Sequence, residues 1–201
     1  MSQLMNMGHL LRMARDTVSN PREGAETMLA LGLPRQALWL AFALVIVLSM
    51  LLGDLLYLLA GLPGEGALTS PLVGSPVVAG LVQGAFLFLM AHAITHVGRV
   101  FGGTGRFEEA LTLVVWLQFI FICVQVLQLV AVLVMPPMAG LITLLAVGLF
   151  FWLLVNFIAA LHGFTSLGLV FVATILTGFA FLFMLSLILM LLGITFEGPP
   201  V

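Results

Sequence analysis

Five long apolar runs divide this chain, and its six arginines occupy only alternate gaps between them. Arg12, Arg15, Arg22 and Arg35 precede the first run, and Arg99 and Arg106 lie between the second and third. No other gap carries an arginine, and the chain has no lysine. Positive loops close to membrane segments are retained in the cytoplasm, so this alternation orients every segment at once. With 63% apolar and only 7% charged residues, the chain cannot clothe a water-exposed surface. Each run has the roughly 20 residues that a ~30 Å hydrocarbon layer demands.

The runs predict spans over 35–61, 76–98, 109–135, 138–162 and 168–194, a five-helix transmembrane bundle of all-α class. Ahead of them, 1–33 reads as a cytoplasmic amphipathic segment, 34–195 as the membrane domain and 196–201 as a short outer tail. Leu4, Met7, Leu11, Ala14 and Val18 recur at helical spacing with Arg12, Arg15 and Asp16 off that stripe. That pattern suits a helix lying in the headgroup plane. Asn20-Pro21-Arg22-Glu23 reads as a second helix start, Asn capping and Glu reaching back, with Gly32 as its end. Met135-Pro136-Pro137-Met138 reads as a tight hairpin and His162-Gly163 as a helix stop. Residues 1–20 lack the continuous apolar core of a signal peptide, so the first span is expected to serve as the targeting signal.

Counting crossings from an internal N-terminus places loop 99–108 inside, the Pro-Pro hairpin outside and the C-terminus outside. Every arginine then falls on the inner side, while the outer side carries Glu65 and Glu197.

The loop between spans two and three reads Phe101-Gly102-Gly103-Thr104-Gly105-Arg106-Phe107. With Asn20-Pro21-Arg22-Glu23 and Leu33-Pro34-Arg35 upstream, the chain resembles the bacterial form of the Ypt-interacting-protein (Yip) domain family. In that form a short inner loop of the type Gly-Gly-x-x-x-Phe separates spans two and three of five. The resemblance runs from about residue 20 to 194. It implies a five-span fold with a cytoplasmic N-terminus, and a role in binding another membrane protein or itself. Arg99, Phe101, Gly102, Gly103, Arg106 and Phe107 are the candidate partner-facing residues. Eukaryotic members contact Rab-class GTPases, but the acidic-aliphatic-Tyr-Gly-Pro stretch of their N-terminal region is missing here, which argues against GTPase binding. Together with the exclusive use of arginine, these features point to a bacterial inner membrane.

Ionisable and amide side chains inside spans mark the places to look for activity. Asp54, Gln83 and Gln128 share a level about 10 Å below the outer surface at 1.5 Å per residue. They read either as a cation- or proton-binding layer of a small transporter or as interhelical glue, the second being the simpler reading. Gln118, Gln125 and Gln128 are expected on one face of span three. Toward the inner end His92 and His96 stand at i, i+4, with Asn156 and Thr174 at comparable depth and His162 nearby. Such a pair can hold a metal or haem, or can simply form a polar helix end, again the simpler reading. Gly80 and Gly84 form a small-x-x-x-small motif for close helix approach.

Cys123 is the lone cysteine. No catalytic triad, P-loop or paired carboxylate is visible, so the expectation is a non-enzymatic protein with no cofactor and no metal. Nor does the sequence hold a basic patch for nucleic acid. Its partners are the lipid bilayer and another membrane protein or a second copy.

Overall fold

The computed structural model describes residues 7–60 and 76–191. Among them run α1 (Met7–Ser19), α2 (Pro21–Ala30), α3 (Arg35–Ala60), α4 (Pro76–Val100), α5 (Phe107–Val134), α6 (Pro136–His162) and α7 (Leu167–Leu191). The last five are long and apolar enough to cross a membrane. They follow the expected spans to within a few residues, which makes the protein an all-α integral membrane bundle. Leu4, Glu65 and Glu197 lie outside the described residues.

Helix ends follow local chemistry, with two departures from expectation. Gly32, Gly102 and Gly163 take φ of 53°, 86° and 74°, a left-handed backbone that stops a helix and suits glycine. Pro136 and Pro137 are not the turn itself: they form the first turn of α6, and Met135 alone connects it to α5. Proline is tolerated there because first-turn N–H groups have no intrahelical acceptor. At Asn20 no side-chain cap forms. Its backbone N–H instead donates to Asp16 O (2.8 Å) and its carbonyl accepts from Gly24 N–H (3.0 Å), so α1 runs into α2 with hardly a break.

Burial is concentrated at the end of the bundle that carries the arginines. Ala110 through Leu117 of α5 are all buried, which requires protein on every face of that helix. The cover comes from α3 (Leu38, Phe42, Val45), α6 (Leu153, Leu154, Phe157) and α2 (Ala25, Met28). Toward the far end the helices present Leu133, Val134, Leu144 and Leu145 outward, as surfaces facing lipid do.

The N-terminal helices belong to this packed end. Leu10, Met13, Ala14 and Thr17 of α1 turn toward the protein, while Met7, Leu11 and Val18 of the expected stripe are exposed. The buried face is thus rotated relative to the one read from apolar spacing, and a threonine lies at its centre. Thr17 is accommodated because its hydroxyl donates to Met13 O (2.7 Å) and accepts from Trp116 Nε1 of α5 (3.2 Å). A Cβ on Gly24 would land on the Thr17 side chain, so glycine lets α2 close against α1.

Candidate functional site

The loop joining α4 to α5 is built around a single histidine. At the end of α4 the Gly102 N–H donates to Arg99 O (3.0 Å) and the Gly103 N–H to Gly98 O (2.9 Å). That pair of bonds is the Schellman termination. At the start of α5 the Arg106 backbone N–H donates to Glu109 Oε2 (2.8 Å). Glu108 and Glu109 lie in the first turn, where the helix dipole favours anions. Arg99 Nε donates to Gly105 O (3.2 Å) and draws the loop back onto α4.

His162, the last residue of α6, is only 5% exposed and fills the space inside this loop. Its Nδ1 accepts from the Gly105 N–H (3.1 Å), and its Nε2 donates to Ile94 O of α4 (3.1 Å). Both ring nitrogens are satisfied by a neutral imidazole with its proton on Nε2. Phe164 stacks on the ring at 5.4 Å between centroids.

Three glycines make room for the ring. A Cβ on Gly98 or on Gly103 would land on the imidazole, and one on Gly105 would come within 2.6 Å of Leu161 Cγ and 2.8 Å of His162 Cε1. The glycines read from sequence as a turn signature are therefore also a socket, in which α6 is latched to the α4–α5 loop. The spacing of the motif gave no hint of its occupant. Only Gly98 on α4, in register with the two loop glycines, together with a histidine directly before a helix-stopping glycine, could have pointed there.

The other candidates are placed as follows. Phe101 is 56% exposed at the loop tip, beside Val100 at 82%, and Arg99 and Arg106 are also exposed. Phe107 turns inward against His92 (4.3 Å between centroids) and Phe88 (5.6 Å). His92 Nδ1 pairs with Phe88 O (3.2 Å) and His96 Nδ1 with His92 O (2.9 Å), leaving the rings parallel at 5.8 Å. No third His, Cys, Asp or Glu gathers with them among the described residues. Asn156 is buried and donates to Trp152 O (2.8 Å) within its own helix. Gly80 and Gly84 face α3, where a Cβ would meet Met50 and Ile46, so the small-residue motif serves packing within the chain.

Asp54, Gln83 and Gln128 do not come together. Gln83 Nε2 donates to Ser49 Oγ of α3 (2.8 Å), and Gln125 Nε2 reaches Ser49 O (3.4 Å). Gln128 Nε2 donates to Thr143 Oγ1 of α6 (3.0 Å). Asp54 is exposed, one and a half turns beyond Ser49. The polar knot that joins three helices is thus Ser49–Gln83–Gln125, with the hydroxyl of a serine where a carboxylate was expected. Gln83→Leu should lower stability by about 0.6–1.7 kcal/mol, the range for hydrogen bonds between membrane helices. Asp54→Asn should leave it unchanged. Unfolding by SDS titration measures both, and equal losses would contradict this assignment.

Comparison with known sequences and structures adds one match. The Yip1 domain profile covers residues 15–188, from α1 into α7. Neither characterised proteins nor solved structures returned a match. The matched region takes in the five membrane helices, the α1–α2 hairpin from Arg15 onward, the glycine loop and His162. The chain is a membrane protein that belongs to the Yip1 domain family.

Proposed function

We propose that this protein is a non-enzymatic scaffold or accessory protein whose arginine-bearing face docks another membrane protein or a second copy. The observation that carries this reading is the set of hydrogen bonds that tie that face together. The α4–α5 loop is held by His162 and by Arg99, and the α1–α2 hairpin is held by the Thr17–Trp116 hydrogen bond. On this fixed base Val100 and Phe101 project between exposed Arg99 and Arg106, an apolar tip with a cationic rim. Apolar anchors ringed by arginine are favoured at protein interfaces. By the positive-inside rule this face lies in the cytoplasm with the C-terminus outside, and we place the protein in a bacterial inner membrane.

Transport through a layer containing Asp54 draws less support, since Gln83 and Gln128 are engaged in separate helix pairs. A haem or metal role for His92 and His96 would rest on two nitrogen ligands alone.

The experiment is a mild-detergent pull-down from native membranes with chemical cross-linking, comparing the natural chain with Val100→Asp and Arg106→Glu. The natural chain should return one consistent partner or a homodimer, and both variants should lose it with helix content and thermal stability intact. A natural chain recovered only as monomer, or variants that keep the partner, would sink the proposal.

A further inference from the structure

A cavity of about 350 Å³ opens between α4, α6 and α7. Small residues line it, Ala93 on α4 and Ala173 and Gly178 on α7. Neither helix supplies the bulk to close the gap. At the end away from the arginines Phe86 meets Phe181, with centroids 6.2 Å apart. At the other end its lining reaches Phe101 and Leu169, 56% and 63% exposed, which form the mouth.

Water is a poor occupant. The polar side chains in the lining are Thr174 and Thr177, and the Thr174 hydroxyl already donates to Val170 O (2.7 Å). A buried water needs two to four polar partners. The lining runs from Phe86 of α4 to Phe101 just past its end, about 22 Å at 1.5 Å per residue, a length that suits an extended hydrocarbon chain. Its three walls are all helices apolar enough to span the membrane, so the cavity opens onto lipid.

From the apolar lining, its length and its opening onto lipid we infer that the cavity binds an acyl chain of a phospholipid. The lining takes in Phe86 to Phe101 and Leu169 to Leu182, the arginine-side parts of α4 and α7, so the chain belongs to the arginine-side leaflet. The mouth shares Phe101 with the proposed docking face, and the test therefore reads residues deeper in the cavity.

The test uses the full chain in nanodiscs of phosphatidylethanolamine and phosphatidylglycerol, with a trace of phospholipid bearing a diazirine midway along one acyl chain. After irradiation and digestion, adducts should concentrate on Ala93, Val97, Ala173 and Thr177. The expected excess is about tenfold over equally lipid-facing Leu133 and Leu144, the ratio that corresponds to a preference of ~1.4 kcal/mol. Ala93→Phe with Ala173→Phe should reduce that excess to background. Adducts spread evenly over all lipid-facing positions of the natural chain would overturn the inference, whether or not the filled variant folds. So would cross-linked dimers joined through α7, or labelling that survives filling in a folded variant.

Discussion

His162→Ala is expected to cost about 3–5 kcal/mol and to free the α4–α5 loop. Removing a buried ring leaves a cavity, and such truncations cost ~2–5 kcal/mol. The Gly105 N–H and the Ile94 carbonyl lose their partner as well, at ~1–3 kcal/mol for each group left unsatisfied. The upper part of the summed range is discounted because the loop can open and admit water. Stability is read by SDS or thermal unfolding, and loop release by amide hydrogen exchange over residues 99–107, which should accelerate while the centres of α3 and α5 stay protected.

The glycines supply the control. Gly98→Ala alone should destabilise by about 1–3 kcal/mol, because its methyl overpacks the imidazole. In the His162→Ala background the same change should be close to neutral, since the obstructing ring is gone. A double-mutant cycle therefore carries the test: residues in contact deviate from additivity by ~0.5–3 kcal/mol. If the two losses simply add, the glycines are not there for the histidine.

Trp116→Ala should cost about 3–5 kcal/mol, the usual range for truncating a buried tryptophan. Trp116 is 4% exposed, and its indole N–H is the polar tie to Thr17, so the second consequence is release of α1 and α2. Arg12, Arg15 and Arg22 are exposed but lie on ordered helix, which resists protease. In the variant, limited trypsin digestion at those arginines should speed up before the membrane helices unfold. Trp116→Phe keeps most of the ring volume and loses the one hydrogen bond, so it should cost about 1 kcal/mol. An alanine variant with unchanged trypsin sensitivity would show that the hairpin is held by α2–α6 packing alone.

These outcomes bear on the proposed function in a specific way. A docking face made of a loop and a short helical hairpin must be ordered before a partner arrives, or its ordering cost is charged against affinity. His162 and Trp116 are the two points at which that ordering is secured. Variants at either position should weaken partner capture even though neither side chain lies on the exposed surface.

Much of the architecture was legible before any coordinates. The five membrane helices follow from the lengths of the apolar runs, and the ends of α2 and α6 from Gly32 and Gly163, while Pro136 and Pro137, read as a turn, open α6. The loop that carries the family resemblance was recognisable by its glycines. What the spacing left open shares one cause. His92 and His96 stand on one face and bond to backbone carbonyls of their own helix, as the simpler reading had it, while the buried, doubly bonded histidine is His162. Asp54 was placed with Gln83 and Gln128 by depth alone, yet Ser49 holds the position between the helices. In α1 the apolar stripe was drawn through Met7, Leu11, Ala14 and Val18, and of these the protein buries Ala14 alone, with Thr17 beside it.

Depth along a membrane helix can be counted from the sequence, at 1.5 Å per residue from a known end. Rotation about the helix axis cannot, when apolar residues occupy every face and no amphipathic stripe marks the side turned toward the protein. The sequence by itself therefore determined how many times this chain crosses the membrane, where each helix stops, and that the arginines gather at one end. Only the tertiary structure decided which way each helix turned. That choice rests on close packing and hydrogen-bond partnership: glycines where a ring must fit, a threonine where an indole N–H needs an acceptor, and a serine where two glutamines meet.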